Sequence, residues 1–220
     1  GNFNVGIGTQ ALNSNTTASN NTAVGYQATY ANSTGTYNIA VGNQALYSNT
    51  TASQNVAVGF QSLFLNTTGA NNTGLGHGAL NVNTTGASNV AVGTLALAAN
   101  TTASNNTAVG HQAGYSNIVS SYITVLGYQA GYSYAGTAGQ GYNTYLGYRA
   151  GYTNSTSAGE NVAVGYAAYL NGNGTKNTVI GSGAGADLTT GDKNTIIGRF
   201  GGNSGGLDIR TASNNIVLSD

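Results

Sequence analysis

Asn21-Thr22-Ala23-Val24-Gly25 is written repeatedly along this chain. It returns as Asn38-Ile39-Ala40-Val41-Gly42, Asn55-Val56-Ala57-Val58-Gly59, Asn72-Thr73-Gly74-Leu75-Gly76, Asn89-Val90-Ala91-Val92-Gly93 and Asn106-Thr107-Ala108-Val109-Gly110. The closing glycines, from Gly8 through Gly25, Gly42, Gly59, Gly76, Gly93 and Gly110 to Gly127, are each 17 residues apart. A unit this short can hardly bury a core alone, so neighbouring units must stack on one another. A solenoid is the primary expectation.

Read as columns, the repeat says more. Val24, Val41, Val58, Leu75, Val92, Val109 and Leu126 form one apolar column, and the residue before each is small, apart from Val125. Adjacent strand residues point to opposite faces, so two neighbouring apolar columns predict a strand covered on both sides. One side suits the coil interior and the other a second chain. The expected interface stripe is Ala23, Val24, Ala40, Val41, Ala57, Val58, Ala91, Val92, Ala108 and Val109.

After each glycine comes a second short segment, such as Tyr26-Gln27-Ala28 or Phe60-Gln61-Ser62-Leu63, which predicts a second short strand. Seventeen residues accommodate two short strands and a turn, but no amphipathic helix of useful length. The turn is Asn-Thr-Thr or a close variant, and asparagine suits a sharp corner because it tolerates left-handed backbone and bonds its own chain locally. Stacking at ~4.8 Å predicts amide ladders in which each side chain donates to one neighbour and accepts from the other. Two such columns are expected, one at the corner (Asn15, Asn32, Asn49, Asn66, Asn83, Asn100, Asn117) and one at the strand start (Asn4, Asn21, Asn38, Asn55, Asn72, Asn89, Asn106).

Beyond Gly127 the motif persists while its spacing changes to 20, 18, 16, 17 and 21 residues. The organisation is a regular 17-residue-repeat β-solenoid over 1–127 and its continuation with irregular coil lengths over 128–220, all-β, with about 13 short parallel coils. Tyr115, Tyr132, Tyr134, Tyr142, Tyr145, Tyr148 and Tyr152 crowd the transition.

The composition narrows the function. Charged residues make up only 5% of the 220, and none precedes Arg149, so there is no basic surface for nucleic acid or an anionic membrane. No apolar run approaches the ~20 residues of a membrane span, so no membrane insertion is expected. The chain starts inside a repeat without a targeting segment, as expected of an excerpt or a processed chain. Cysteine is absent. His77 and His111 are the only conventional acid–base groups in the first 148 residues, and two coils should place them ~10 Å apart, too far to share a metal. Asp187, Asp192 and Asp208 lack calcium-loop spacing, and Gly181-Ser182-Gly183-Ala184-Gly185 reads as a coil corner because no helix pattern follows. The sequons, including Asn154, are explained by corner chemistry. No catalytic residues, cofactor or metal are expected; a polysaccharide depolymerase would need a carboxylate pair, which only late residues such as Glu160 and Asp187 could supply.

The segment Asn-Thr-Ala-Val-Gly-Tyr-Gln-Ala, from Asn21 to Ala28, resembles the repeats of bacteriophage tail fibres and, more distantly, the YadA-like head repeats of trimeric autotransporter adhesins. Asn214-Asn215-Ile216-Val217-Leu218-Ser219-Asp220 resembles the segment that ends such repeats in fibres. The resemblance implies a left-handed parallel β-roll, a homotrimer, and a place in a virion tail fibre or at a cell surface. The expected role is a structural fibre and attachment module that supports or forms a receptor-binding surface for a host glycan or protein. The alternatives are an extracellular filament or bacterial surface adhesin and, from the threonine pairs of the corners, an ice-binding solenoid.

Overall fold

Each copy of the motif forms a three-residue strand. In the computed structural model, which describes residues 1–133, 141–153 and 159–220, the strands belong to two compact units, Gly1–Asn106 and Thr107–Asp220. The first holds β1 (Val5–Ile7), β2 (Thr22–Val24), β3 (Ile39–Val41), β4 (Val56–Val58), β5 (Thr73–Leu75) and β6 (Val90–Val92). The second holds β7 (Thr107–Val109), β8 (Thr124–Leu126), β9 (Thr144–Leu146), β10 (Val162–Val164), β11 (Thr178–Ile180) and β12 (Thr195–Ile197). It ends with a hairpin of β13 (Asn203–Ser204) and β14 (Leu207–Asp208), then β15 (Ile216–Leu218). Tyr134 and Asn154 lie outside the described residues.

Within each unit successive motif strands pair in parallel and in register. Ala23 lies beside Ala40 and Ala40 beside Ala57; in the second unit Ala163 lies beside Val179 and Val179 beside Ile196. The result is an all-β parallel solenoid of about 12 turns, with no helix among the described residues. The hairpin is contained in the long 21-residue spacing between Gly198 and Ser219.

The strand alternates as its period of two requires. Ala23, Ala40, Ala57, Ala91 and Ala108 are fully buried inside the chain's own coil, whereas the flanking residues look outward. In the expected interface stripe only the valines are therefore available to another chain. The alanines are core.

The second segment is not a strand. It is a run of turns in which residues two and four after the glycine take left-handed backbone, as at Gln44 (φ 55°) and Leu46 (φ 53°), or Gln61 (φ 51°) and Leu63 (φ 52°). The reason is packing: Ala45 and Leu46 are both fully buried, as are Ala79 and Leu80, and a regular strand would send one of each pair into water. The local strain, ~1 kcal/mol per residue, is set against a buried leucine worth roughly 2 kcal/mol. Hydrogen bonding also survives, because Gln44 N donates to Tyr26 O of the preceding coil (2.8 Å) and Leu46 N to Ser62 O of the following one (2.9 Å).

The interior is filled by compensation between two columns. In the first unit the strand supplies Ala40, Ala57, Gly74 or Ala91, and the turn supplies Leu46, Leu63, Leu80 or Leu97. In the second unit the sizes trade places, as Val125 with Gly131, Tyr145 with Gly151 and Val179 with Gly185, while the intervening coil keeps the first arrangement in Ala163 with Tyr169. A Cβ on Gly151 would meet the Tyr145 ring at 2.5 Å, and one on Gly185 would meet Val179 Cγ1 at the same distance. Gly151→Leu alone is expected to destabilise the protein by about 3 kcal/mol through overpacking. Adding Tyr145→Ala recreates the alanine–leucine pairing of the first unit and should recover at least half of the loss. Denaturant titration of the two single variants and the double variant measures the coupling.

Glycine at the end of the regularly repeated strands is required twice over. Gly25, Gly42, Gly59 and Gly76 have φ between 130° and 140°, and a Cβ on any of them would lie 2.4–2.6 Å from the carbonyl oxygen of the next glycine in the column.

Candidate assembly and binding surfaces

Both asparagine columns are buried and bonded, but differently. At the corner the side chains form the expected amide ladder. Nδ2 of Asn49 donates to Asn32 Oδ1 (2.8 Å), Asn66 to Asn49 (3.2 Å), Asn83 to Asn66 (2.7 Å) and Asn100 to Asn83 (2.6 Å). Each amide also donates to the carbonyl three residues on, as Asn49 does to Ala52 O (2.9 Å). These asparagines do not have left-handed backbone; their side-chain bonds shape the corner. The left-handed residue lies before the strand start, at Asn20, Tyr37, Gln54, Asn71, Ser88 and Asn105.

At the strand start the ladder runs mainly between side chain and backbone. The backbone N–H of Asn38 donates to Asn21 Oδ1 (2.9 Å), and Asn55 N to Asn38 Oδ1 (3.0 Å). Asn38 Nδ2 turns to Ala52 O (2.9 Å), the same carbonyl that the corner asparagine Asn49 reaches. Amide-to-amide bonds supplement this column at Asn89 on Asn72 (3.1 Å) and Asn215 on Asn194 (2.9 Å). Ile123 interrupts the column and is itself buried.

The first residue of several corner pairs uses its hydroxyl inside the structure. Thr50 Oγ1 donates to Thr67 O (3.2 Å), Thr67 to Thr84 O (3.1 Å) and Thr84 to Thr101 O (3.1 Å). Those rows cannot present these hydrogens to ice. Asp192 belongs to a similar structural column, accepting from Thr175 N (2.6 Å) where other coils use Ser53 or Ser104.

Outside the strands lies a face made of two columns, Thr22, Ile39, Val56, Thr73 and Val90 beside Val24, Val41, Val58, Leu75 and Val92. The second unit has the same composition, ending in Ile180, Ile197 and Leu218. In the isolated chain Val41 is 37% exposed, Leu75 46%, Leu126 47% and Ile197 45%. A row of large apolar side chains left in water this regularly is the feature of an interaction surface.

Just beyond the strand glycines, the second unit carries aromatic ladders. His111, Tyr128, Tyr148 and Tyr166, each the residue after a strand glycine, stack with centroids 5.2–5.3 Å apart and planes within 8°. Tyr115, Tyr132 and Tyr152 form a second stack at 5.2 Å. Between them Gln129 Nε2 donates to Gln112 Oε1 (2.9 Å) and Arg149 Nε to Gln129 Oε1 (2.9 Å). The guanidinium of Arg149 lies 5.3 Å from the centre of the Tyr148 ring and 4.9 Å from that of Tyr152. The first unit has a longer glutamine ladder, Gln10 to Gln61, and a stack of Tyr30, Tyr47 and Phe64. The signal for these ladders was the recurrence of glutamine two residues after the glycine.

The remaining candidates have structural partners. His77 stacks on Phe60 at 5.4 Å, and no cluster of three metal-ligating side chains occurs among the described residues. Gly181, Gly183 and Gly185 occupy left-handed positions of an ordinary turn. Asp208 pairs with Arg210 at 2.7 Å, and that hydrogen-bonded neighbour holds its carboxyl down at about 2. Burial pushes the Tyr169 phenol far above its ordinary range; it stays protonated, donating to Gly174 O and accepting from Asn177 Nδ2, each at 2.9 Å.

No family model, curated protein or solved structure matches the chain. A functional reading therefore rests on its exposed faces.

Proposed function

We propose that the chain is a structural and attachment module: a β-solenoid that trimerises through the outer faces of its strands, serves as shaft or head of a phage tail fibre, and supports or forms a receptor-binding surface. The observation that carries this reading is the outward apolar column from Val24 to Val92, which a partner with the same surface would cover while preserving the coil interior. The near absence of charge agrees, since cyclic copies of an uncharged stripe meet without repulsion. The resemblance of its repeats to those of tail fibres supports a place on a virion. Native mass spectrometry at micromolar concentration should give three copies, and Val41→Asp with Val58→Asp should give single chains with unchanged far-ultraviolet circular dichroism. A well-folded single chain in the unmodified protein sinks the proposal.

A further inference from the structure

Ring centroids 5.2–5.3 Å apart exceed the roughly 3.5–4.0 Å contact distance of carbon atoms. The rings of His111, Tyr128, Tyr148 and Tyr166 therefore overlap obliquely, and water reaches 42% of Tyr128, 40% of Tyr148 and 61% of Tyr166. Tyr128, Tyr148 and Tyr166 thus each offer a partly exposed ring and a phenol hydroxyl at even spacing. Arg149 sits beside this row, between Tyr148 and Tyr152 of the second stack. No carboxylate among the described residues forms an ion pair with its guanidinium. Its side-chain hydrogen bond to Gln129 uses Nε alone, leaving the outer guanidinium edge without a partner among the described residues.

We infer that this face binds an extended acidic polysaccharide, with sugar rings laid along the tyrosine row and a uronic carboxylate seated on Arg149. The inference rests on the attachment reading and names its ligand class. A linear, evenly spaced row suits a polymer of repeating rings, whereas protein contacts concentrate their energy in a central cluster. Tyrosine supplies apolar stacking area and a hydroxyl for the sugar's own hydroxyls. A nucleic acid would bring a phosphate with every base to a row that holds a single cation. In each of these coils the aromatic residue lies two positions beyond the outward strand residue, as Tyr128 does from Leu126.

Affinity electrophoresis through polygalacturonate, with hydroxyethylcellulose and single-stranded poly-dT as comparison probes, tests the inference. The intact protein should be retarded most by polygalacturonate. Arg149→Gln extends the Gln112–Gln129 ladder and so preserves folding, yet it should weaken that retardation about tenfold through loss of a charge-assisted bond. Tyr128→Ser with Tyr148→Ser should weaken it as much, and Tyr37→Ser, in the first unit, should leave it unchanged. Equal retardation of the Arg149→Gln protein, stronger retardation by poly-dT, or no retardation by polygalacturonate overturns the inference. Native mass is measured on the same samples, so loss of the trimer is told apart from loss of the ligand.

Discussion

Gly59→Ala is expected to destabilise the protein by about 3–5 kcal/mol, combining backbone strain with a steric clash. The residue has φ 130°, and an added Cβ would lie 2.6 Å from Gly76 O and 2.7 Å from its carbonyl carbon. Both atoms are backbone. Gly59 N is held by Val41 O at 2.8 Å and Gly76 N by Val58 O at 2.8 Å, so the coils cannot part without losing ladder bonds. Gly78→Ala is the matched comparison. It also has positive φ (63°), but the nearest atom to its Cβ is the movable Leu95 Cδ2 at 2.8 Å, and neighbouring coils place Gln61 and Leu95 at the same column. Its cost should stay within about 1 kcal/mol. Urea unfolding of the two variants separates them; equal shifts would mean that the strand-end glycines are not set by the stacked backbone.

Asn66→Ala comes next, at about 2–4 kcal/mol, because it removes bonds from groups that water cannot reach. Asn66 is fully buried, donates to Gly69 O (2.8 Å) and Asn49 Oδ1 (3.2 Å), and accepts from Asn83 (2.7 Å). Asn66→Asp gives a sharper reading. A buried carboxylate facing two acceptor oxygens is disfavoured, so its folded pKa is raised above the unfolded value of about 4. The protonated form can donate as the amide does. Stability of this variant is thus highest below pH about 4 and falls as pH rises through the folded pKa. Thermal midpoints that do not change relative to the parent between pH 4 and 7 would show that the ladder carries little of the stability.

The strand columns and the corner ladder were legible because each depends on residue type recurring at a fixed interval: valine outward, alanine inward, asparagine at the bend. The left-handed turn was not. Gln44, Leu46, Gln61 and Leu63 have no intrinsic preference for positive φ, and only the need to bury two consecutive side chains reveals it. The size exchange between Tyr145 and Gly151 was visible in the letters, but recognising it requires knowing that the two side-chain positions share one interior. The strand-start asparagines were correctly placed in a column, yet their main acceptor use, by backbone N–H groups such as Asn38 N, is a matter of rotamer rather than composition.

Nearly every bond described here joins neighbours in the stack, residues about one repeat apart along the chain. Such a molecule has little reason to wait for its ends to meet. Once a few adjoining rungs have met the entropic cost of nucleation, each further rung adds itself to an existing template, so growth should spread outward like a zipper. Damage should likewise stay close to where it is made, with fraying at one rung leaving distant rungs protected.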